Sequence, residues 1–206
     1  MSELSEKKER LIRELQDYGH LNSIKMLEAF RKVSREKFVP QEQRAYAYVN
    51  EPLPIMKGQT ISQPLTVVAM TEALDVKEGQ KILEVGSGSG YQAAIIAELA
   101  GKEGKVITME RIHELAEFAQ ENLRKYANVT VIEGDGSKGF EKEAPYDRII
   151  VTASADRIPP KLIEQLKENG KMVIPVGNEM HLIGKKKKGT ERTMIGYYRF
   201  VPLVED

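Results

Sequence analysis

The chain has 206 residues, with 31 Lys and Arg against 31 Asp and Glu, so its formal net charge is zero and no broad basic field draws nucleic acid or anionic lipid to it. It contains no cysteine, which excludes a disulfide framework, a thiolate metal site and a cysteine nucleophile. The length fits one domain with a sizeable core, and 41% hydrophobic with 30% charged residues is ordinary for a globular fold.

Residues 1–13 are charged and lack the apolar centre of a secretory signal. Apolar runs such as Ala93–Ala97 fall far short of the roughly 18 to 20 residues of a membrane span. A soluble, cytoplasmic protein with no membrane or nucleic-acid partner is therefore expected. Acidic residues are skewed to 25 Glu against 6 Asp, beside 20 Lys, a composition that resembles proteins of very hot organisms.

Residues 3–18 place Leu4, Leu11, Ile12 and Leu15 on one stripe, which predicts an amphipathic helix. A second helix is predicted after a cap at Asn22 or Ser23 and fades near Pro40. Pro52, Pro54, Gly58 and Pro64 then argue against any regular element and predict an extended, turning segment of functional interest.

From Lys81 onward, short β-branched runs (KILEV, KVITM, VTVI, DRIIVT, KMVIPV) alternate with helical stretches at 91–100, 112–126 and 160–167. This pattern predicts an α/β fold, a mostly parallel sheet covered on both faces. Gly170 is expected to close the last helical unit, and strands at 180–184 and 193–201 are expected to finish the sheet as an antiparallel hairpin. Lys185–Lys188 reads as a solvated turn, and the three histidines read as structural or surface residues without metal-ligand spacing. The organisation is one domain: a helical extension with a loop (1–64), a βα core (65–178) and C-terminal strands (179–206).

Glu84-Val85-Gly86-Ser87-Gly88-Ser89-Gly90 follows the first strand and opens a helix, where glycines allow a sharp turn and close approach to a ligand. Glu110, at the end of the next strand, stands where an acidic side chain accepts hydrogen bonds from ribose hydroxyls. The dinucleotide pattern is G-x-G-x-x-G, but here position 91 is Tyr and the third glycine comes one residue early. The resulting GxGxG, preceded by Glu84, resembles the first motif of S-adenosylmethionine-dependent methyltransferases with a Rossmann-like sheet. Glu133-Gly134-Asp135-Gly136 supplies a further acid at the same edge.

Together with Gly58-Gln59-Thr60-Ile61-Ser62-Gln63-Pro64, Asp147–Ala153 (DRIIVTA) and Arg199-Phe200-Val201-Pro202-Leu203, these motifs make the chain resemble the protein-L-isoaspartate O-methyltransferases along nearly its whole length. The resemblance implies repair of damaged proteins by moving the methyl of S-adenosylmethionine to the free carboxylate of L-isoaspartyl residues, leaving S-adenosylhomocysteine, with no metal. It implies cofactor contacts from Gln59, Thr60, Ile61, Glu84, Gly86, Ser87, Gly88, Gly90, Glu110, Arg111, Asp135, Gly136 and Thr152. It implies substrate contacts from Thr60, Ser62, Ala153, Val201 and Leu203, with Ser62 orienting the reacting carboxylate, and a monomer acting on isoaspartyl proteins and peptides.

Three departures from the family pattern stand out: Ser87 where many members carry Thr, Asn169 before Gly170, and the polar run Ser154-Ala155-Asp156-Arg157. A methyltransferase for another substrate, a nicotinamide-dependent oxidoreductase and a non-catalytic nucleotide-binding module remain open. The early third glycine and the Gln59–Pro64 loop weigh against the oxidoreductase.

Overall fold

The computed structural model describes residues 3–205. Helix α1 (Glu3–Asp17) turns Leu11, Ile12 and Leu15 into the core. Helix α2 (Ile24–Lys32) is capped by Ser23, whose hydroxyl accepts from Met26 N, and it ends well before Pro40. The following residues form two short 3-10 turns, Arg35–Lys37 and Gln41–Tyr46.

The proline-rich stretch does hold a regular element, contrary to the sequence expectation. β1 (Leu53–Pro54) pairs antiparallel with β2 (Thr60–Ile61), because both prolines sit at positions that donate nothing to the two-residue ladder. Helix α3 (Pro64–Leu74), which hydrophobic periodicity did not mark, begins with proline in its first turn. It is buried on most sides and carries no amphipathic stripe to betray it.

The remaining elements alternate: β3 (Lys81–Val85), α4 (Tyr91–Ala100), β4 (Lys105–Glu110), α5 (His113–Leu123), β5 (Val129–Glu133), β6 (Tyr146–Val151), α6 (Pro160–Gln165), β7 (Leu166–Val176), β8 (Glu179–Lys185) and β9 (Thr190–Tyr197). The seven-stranded sheet runs β5-β4-β3-β6-β7-β8-β9. β3 to β7 are parallel, while β8 and β9 are antiparallel to their neighbours.

Two expectations near the carboxyl end need correction. The helix at 160 stops at Gln165, and Gly170 lies inside β7 instead of closing a helix. β7 pairs with β6 at Tyr146↔Leu166 and resumes at Arg148↔Lys171, so residues 167–170 bulge out, with Asn169 at φ 63°. Lys185 is no free turn residue either: its ammonium donates to Ile163 O at 2.7 Å and Leu166 O at 2.6 Å, carbonyls where α6 passes into β7.

Both sheet faces are buried, as a parallel sheet requires. Ile82, Val106, Ile150 and Val173 share a core with Leu11, Phe30, Val68 and Ile95 from α1 to α4. Leu83, Val85, Ile107, Met109, Ile149 and Val151 pack with Leu162 of α6. The chain winds outward from β3 through β4 to β5, then crosses to β6 and β7 on the other side. The carboxyl ends of β3 and β6 therefore flank the point where strand order reverses, the position at which open α/β sheets leave a crevice for ligands.

Candidate active site

At that crevice β3 ends in Val85 and the backbone turns through Gly86–Ser89 into α4. Gly86 adopts φ +95°, and a Cβ there would lie 2.4 Å from Thr152 Oγ1. Thr152 comes from the end of β6; its hydroxyl bonds Gly86 O at 2.7 Å, and its amide donates to Val85 O at 2.9 Å. The amides of Gly86 and Ser87 donate to Met109 O, at 2.8 and 3.0 Å, so the loop is stitched to both neighbouring strands.

Glu110 ends β4 and organises two stretches of backbone. Oε2 accepts from Gly88 N and Oε1 from Ile112 N, each at 3.0 Å. Glu84 lies below the loop, wholly buried, and takes a 2.5 Å bond from Thr108 Oγ1; the Thr108 and Ser87 hydroxyls are 2.6 Å apart. Burial, opposed by the Thr108 bond, pushes the Glu84 carboxyl up to about 8.

One rim of the crevice is the segment 59–62. Gln63 braces it by donating to Asn50 O at 2.8 Å, while Asn50 Oδ1 accepts from Leu65 N at 3.1 Å. The tip of the β1–β2 hairpin is tied across to α5 by the Lys57–Glu114 ion pair. The opposite rim is Val201–Val204, pinned by Ser154 N to Val201 O (2.8 Å) and Leu203 N to Ser154 O (2.7 Å). Ser154 also donates its hydroxyl to Gly177 O, so it serves as a tether, and Asp156 and Arg157 are the exposed members of that polar run.

These walls bound a cleft open to solvent at the carboxyl edge of the sheet, where α/β folds bind ligands. Gln59, Thr60, Ile61, Ser62, Gly86, Ser87, Gly88, Glu110, Arg111, Gly136, Thr152, Ala153, Val201 and Leu203 all line it. Glu84, Gly90 and Asp135 do not. Gly90, at φ +84°, passes so close to Leu123 that a Cβ would fall 2.8 Å from its Cδ1, so it shapes the loop. Asp135 turns onto Ser137, accepting from its amide at 2.9 Å and its hydroxyl at 2.7 Å, and pairs with Lys138.

Lining residues that sequence reasoning missed include Val67 and Met70, one turn apart on the unanticipated α3, and Tyr91 and Gln92 at the start of α4. Gln92 Nε2 donates to Thr71 Oγ1 at 2.8 Å and so locks α4 to α3 behind the cleft. The only signal for Tyr91 and Gln92 was position immediately after the glycine loop.

A family model described as protein-L-isoaspartate (D-aspartate) O-methyltransferase matches residues 6–206. The chain belongs to this family. A protein-L-isoaspartate O-methyltransferase of Methanopyrus kandleri is 52% identical over 205 residues, covering 96% of this chain and 91% of the relative. A second, from Archaeoglobus fulgidus, is 54% identical over 204 residues, with 96% and 93% covered. Among solved structures, a beta-aspartate methyltransferase from Plasmodium falciparum in complex with S-adenosyl-L-homocysteine superposes with a TM-score of 0.85 at 28% identity, covering 96% of this chain and 98% of that one. The match spans the N-terminal helices and the C-terminal strands as well as the βα core.

Proposed function

We infer that this chain is a protein-L-isoaspartate O-methyltransferase that moves a methyl group from S-adenosylmethionine to the free carboxylate of L-isoaspartyl residues in damaged proteins and peptides. The family match over residues 6–206, with its cleft between the glycine loop and the 59–62 segment, carries this reading.

The cleft has the parts this cofactor needs. Gly86, held at a conformation no other residue enters cheaply, lets Thr152 pack directly against the loop and so fixes the turn at the strand end. Glu110 offers carboxylate oxygens beside the loop, at the position where ribose hydroxyls donate. Met109, Ile112 and Leu115 provide apolar walls for a flat base. When bound, S-adenosylmethionine supplies a methyl on a positively charged sulfur. Ser87, Gly88, Glu110, Arg111 and Thr152 form the surface on which we place it.

The nucleophile is the substrate's own carboxylate, ionised at pH 7 because its reference pKa is near 4, so no protein base is required. The methyl–sulfur bond breaks as the oxygen–methyl bond forms, and opposite charges neutralise each other, which favours a site closed to water. The protein's task is to hold oxygen and methyl about 3 to 3.5 Å apart in line. Ser62, on the rim facing the C-terminal segment, is assigned to hydrogen-bond that carboxylate. Thr60, Ala153, Val201 and Leu203 form the wall for the extended substrate chain. A monomer working in the cytoplasm completes the reading, and light scattering of the purified protein checks its oligomeric part.

The deciding experiment is methyl transfer from labelled cofactor to paired isoaspartyl and aspartyl peptides of one sequence. Methylation confined to the isoaspartyl peptide is expected. Equal labelling of both, or none of either with S-adenosylhomocysteine demonstrably bound, defeats the substrate assignment.

A further inference from the structure

Arg35 begins the first 3-10 turn of the N-terminal segment and is 0% exposed. None of its Nε, Nη1 and Nη2 atoms has a hydrogen-bond partner among the described residues. A bare buried cation is costly, and an apolar side chain of like volume usually fills such a position at no loss. Burial pulls its pKa down to about 10, which still leaves it charged at neutral pH. What the guanidinium does face is an aromatic ring: its Cζ lies 5.1 Å from the centroid of Tyr91.

Tyr91 is the residue after Gly90, the first of α4, and it lines the cleft beside Ser89. It too is buried, and its hydroxyl finds no partner among the described residues, so no hydrogen bond of the hydroxyl fixes the ring. Phe38, three residues beyond Arg35, meets the same ring edge-on at 5.5 Å and 64°. One short N-terminal segment thus holds, by a cation face and an aromatic edge, a side chain that forms part of the cleft wall.

We propose that Arg35 is a positioning residue for the cofactor: through the Tyr91 ring it sets the cleft wall beside the glycine loop, so that the N-terminal segment controls affinity for the adenosyl ligand. The proposal rests on the reading of the cleft as an S-adenosylmethionine site. The Arg35 face acts from behind the wall and touches neither ligand nor reacting atoms.

The test compares wild type, R35K and R35M by calorimetry with S-adenosylhomocysteine and by steady-state kinetics on an isoaspartyl peptide. R35M removes charge and flat face, and is expected to raise the Kd and the cofactor KM about tenfold, with kcat at saturating cofactor and peptide KM within about twofold. R35K keeps the charge without the planar face and is expected to fall between, about three- to fivefold weaker. Kd values within twofold of wild type in both variants, whatever happens to the melting temperature, overturn the proposal, as does a fall in kcat at unchanged cofactor KM. Should R35M fail to fold, R35K is judged by the same limits. A wild type that does not bind S-adenosylhomocysteine defeats the cofactor reading instead, so the two failures are separable.

Discussion

The Thr108 hydroxyl donates a 2.5 Å hydrogen bond to Oε2 of Glu84, a carboxyl wholly buried beneath the glycine loop. Its other oxygen, Oε1, has no hydrogen-bond partner among the described residues, and burial moves the pKa from 4.5 to about 8. Below the unfolded value the carboxyl is neutral in both states and carries no penalty. Between 4.5 and about 8 the unfolded chain has released the proton while the folded chain retains it, so stability falls as pH rises and the loss levels off above the folded value. Denaturant titrations across that window are expected to show a flatter decline for Glu84→Gln than for wild type. Identical slopes would mean that Glu84 is charged in the folded protein.

Gly86 offers a second prediction, about shape. A methyl at this position meets Thr152 Oγ1 at 2.4 Å, and that hydroxyl is itself engaged with Gly86 O and Val85 O, so it has little freedom to retreat. The backbone at φ +95° adds strain of order 1 to 3 kcal/mol for any residue with a Cβ. Gly86→Ala should fold with a lowered melting temperature and bind S-adenosylhomocysteine at least tenfold more weakly, read by calorimetry. Binding at wild-type strength would show that the loop adapts without moving the ligand-facing amides.

The strands of the βα core were legible because β-branched runs flanked by turn residues have few other solutions, and the cleft followed from where glycines and acids fell at strand ends. What stayed hidden was direction and burial. Glu84 and Glu110 read alike in sequence, each an acid at a strand end. Glu84 falls on the same side of β3 as Ile82, within the packed layer, while Glu110 ends its strand at the cleft. Helix α3 escaped because it is apolar nearly all round, and Arg35 because a lone arginine in a charged segment reads as surface. Asp135 was visible as an acid, but its short-range turn to the Ser137 amide competes with any ligand role.

Glu110 carries a third prediction. Its two oxygens each accept one backbone amide, from Gly88 and Ile112, and a glutamine side chain has a single acceptor oxygen. Glu110→Gln therefore strands one amide and turns a donor toward it, besides losing the charge available to ribose hydroxyls. An unmet buried donor costs about 1 to 3 kcal/mol. Affinity for S-adenosylhomocysteine should drop at least tenfold by calorimetry, with the isoaspartyl peptide KM little altered at saturating cofactor. A variant indistinguishable from wild type in this titration would remove Glu110 from the cofactor contacts.

Ser62 separates catalysis from cofactor binding. It lines the cleft on the 59–62 rim, and the bracing of that rim comes from its neighbour Gln63 and from Asn50. Replacing Ser62 by alanine should therefore leave the rim in place and remove one hydroxyl from the carboxylate's surroundings. Aligned attack needs the oxygen held in line, so kcat on an isoaspartyl peptide is expected to fall tenfold or more, roughly 1.4 kcal/mol in the barrier per factor of ten. The Kd for S-adenosylhomocysteine should stay within about twofold, because the glycine loop and Glu110 are untouched. Undiminished turnover in Ser62→Ala would assign the orienting role to another group on the rim, with Thr60 the next to replace.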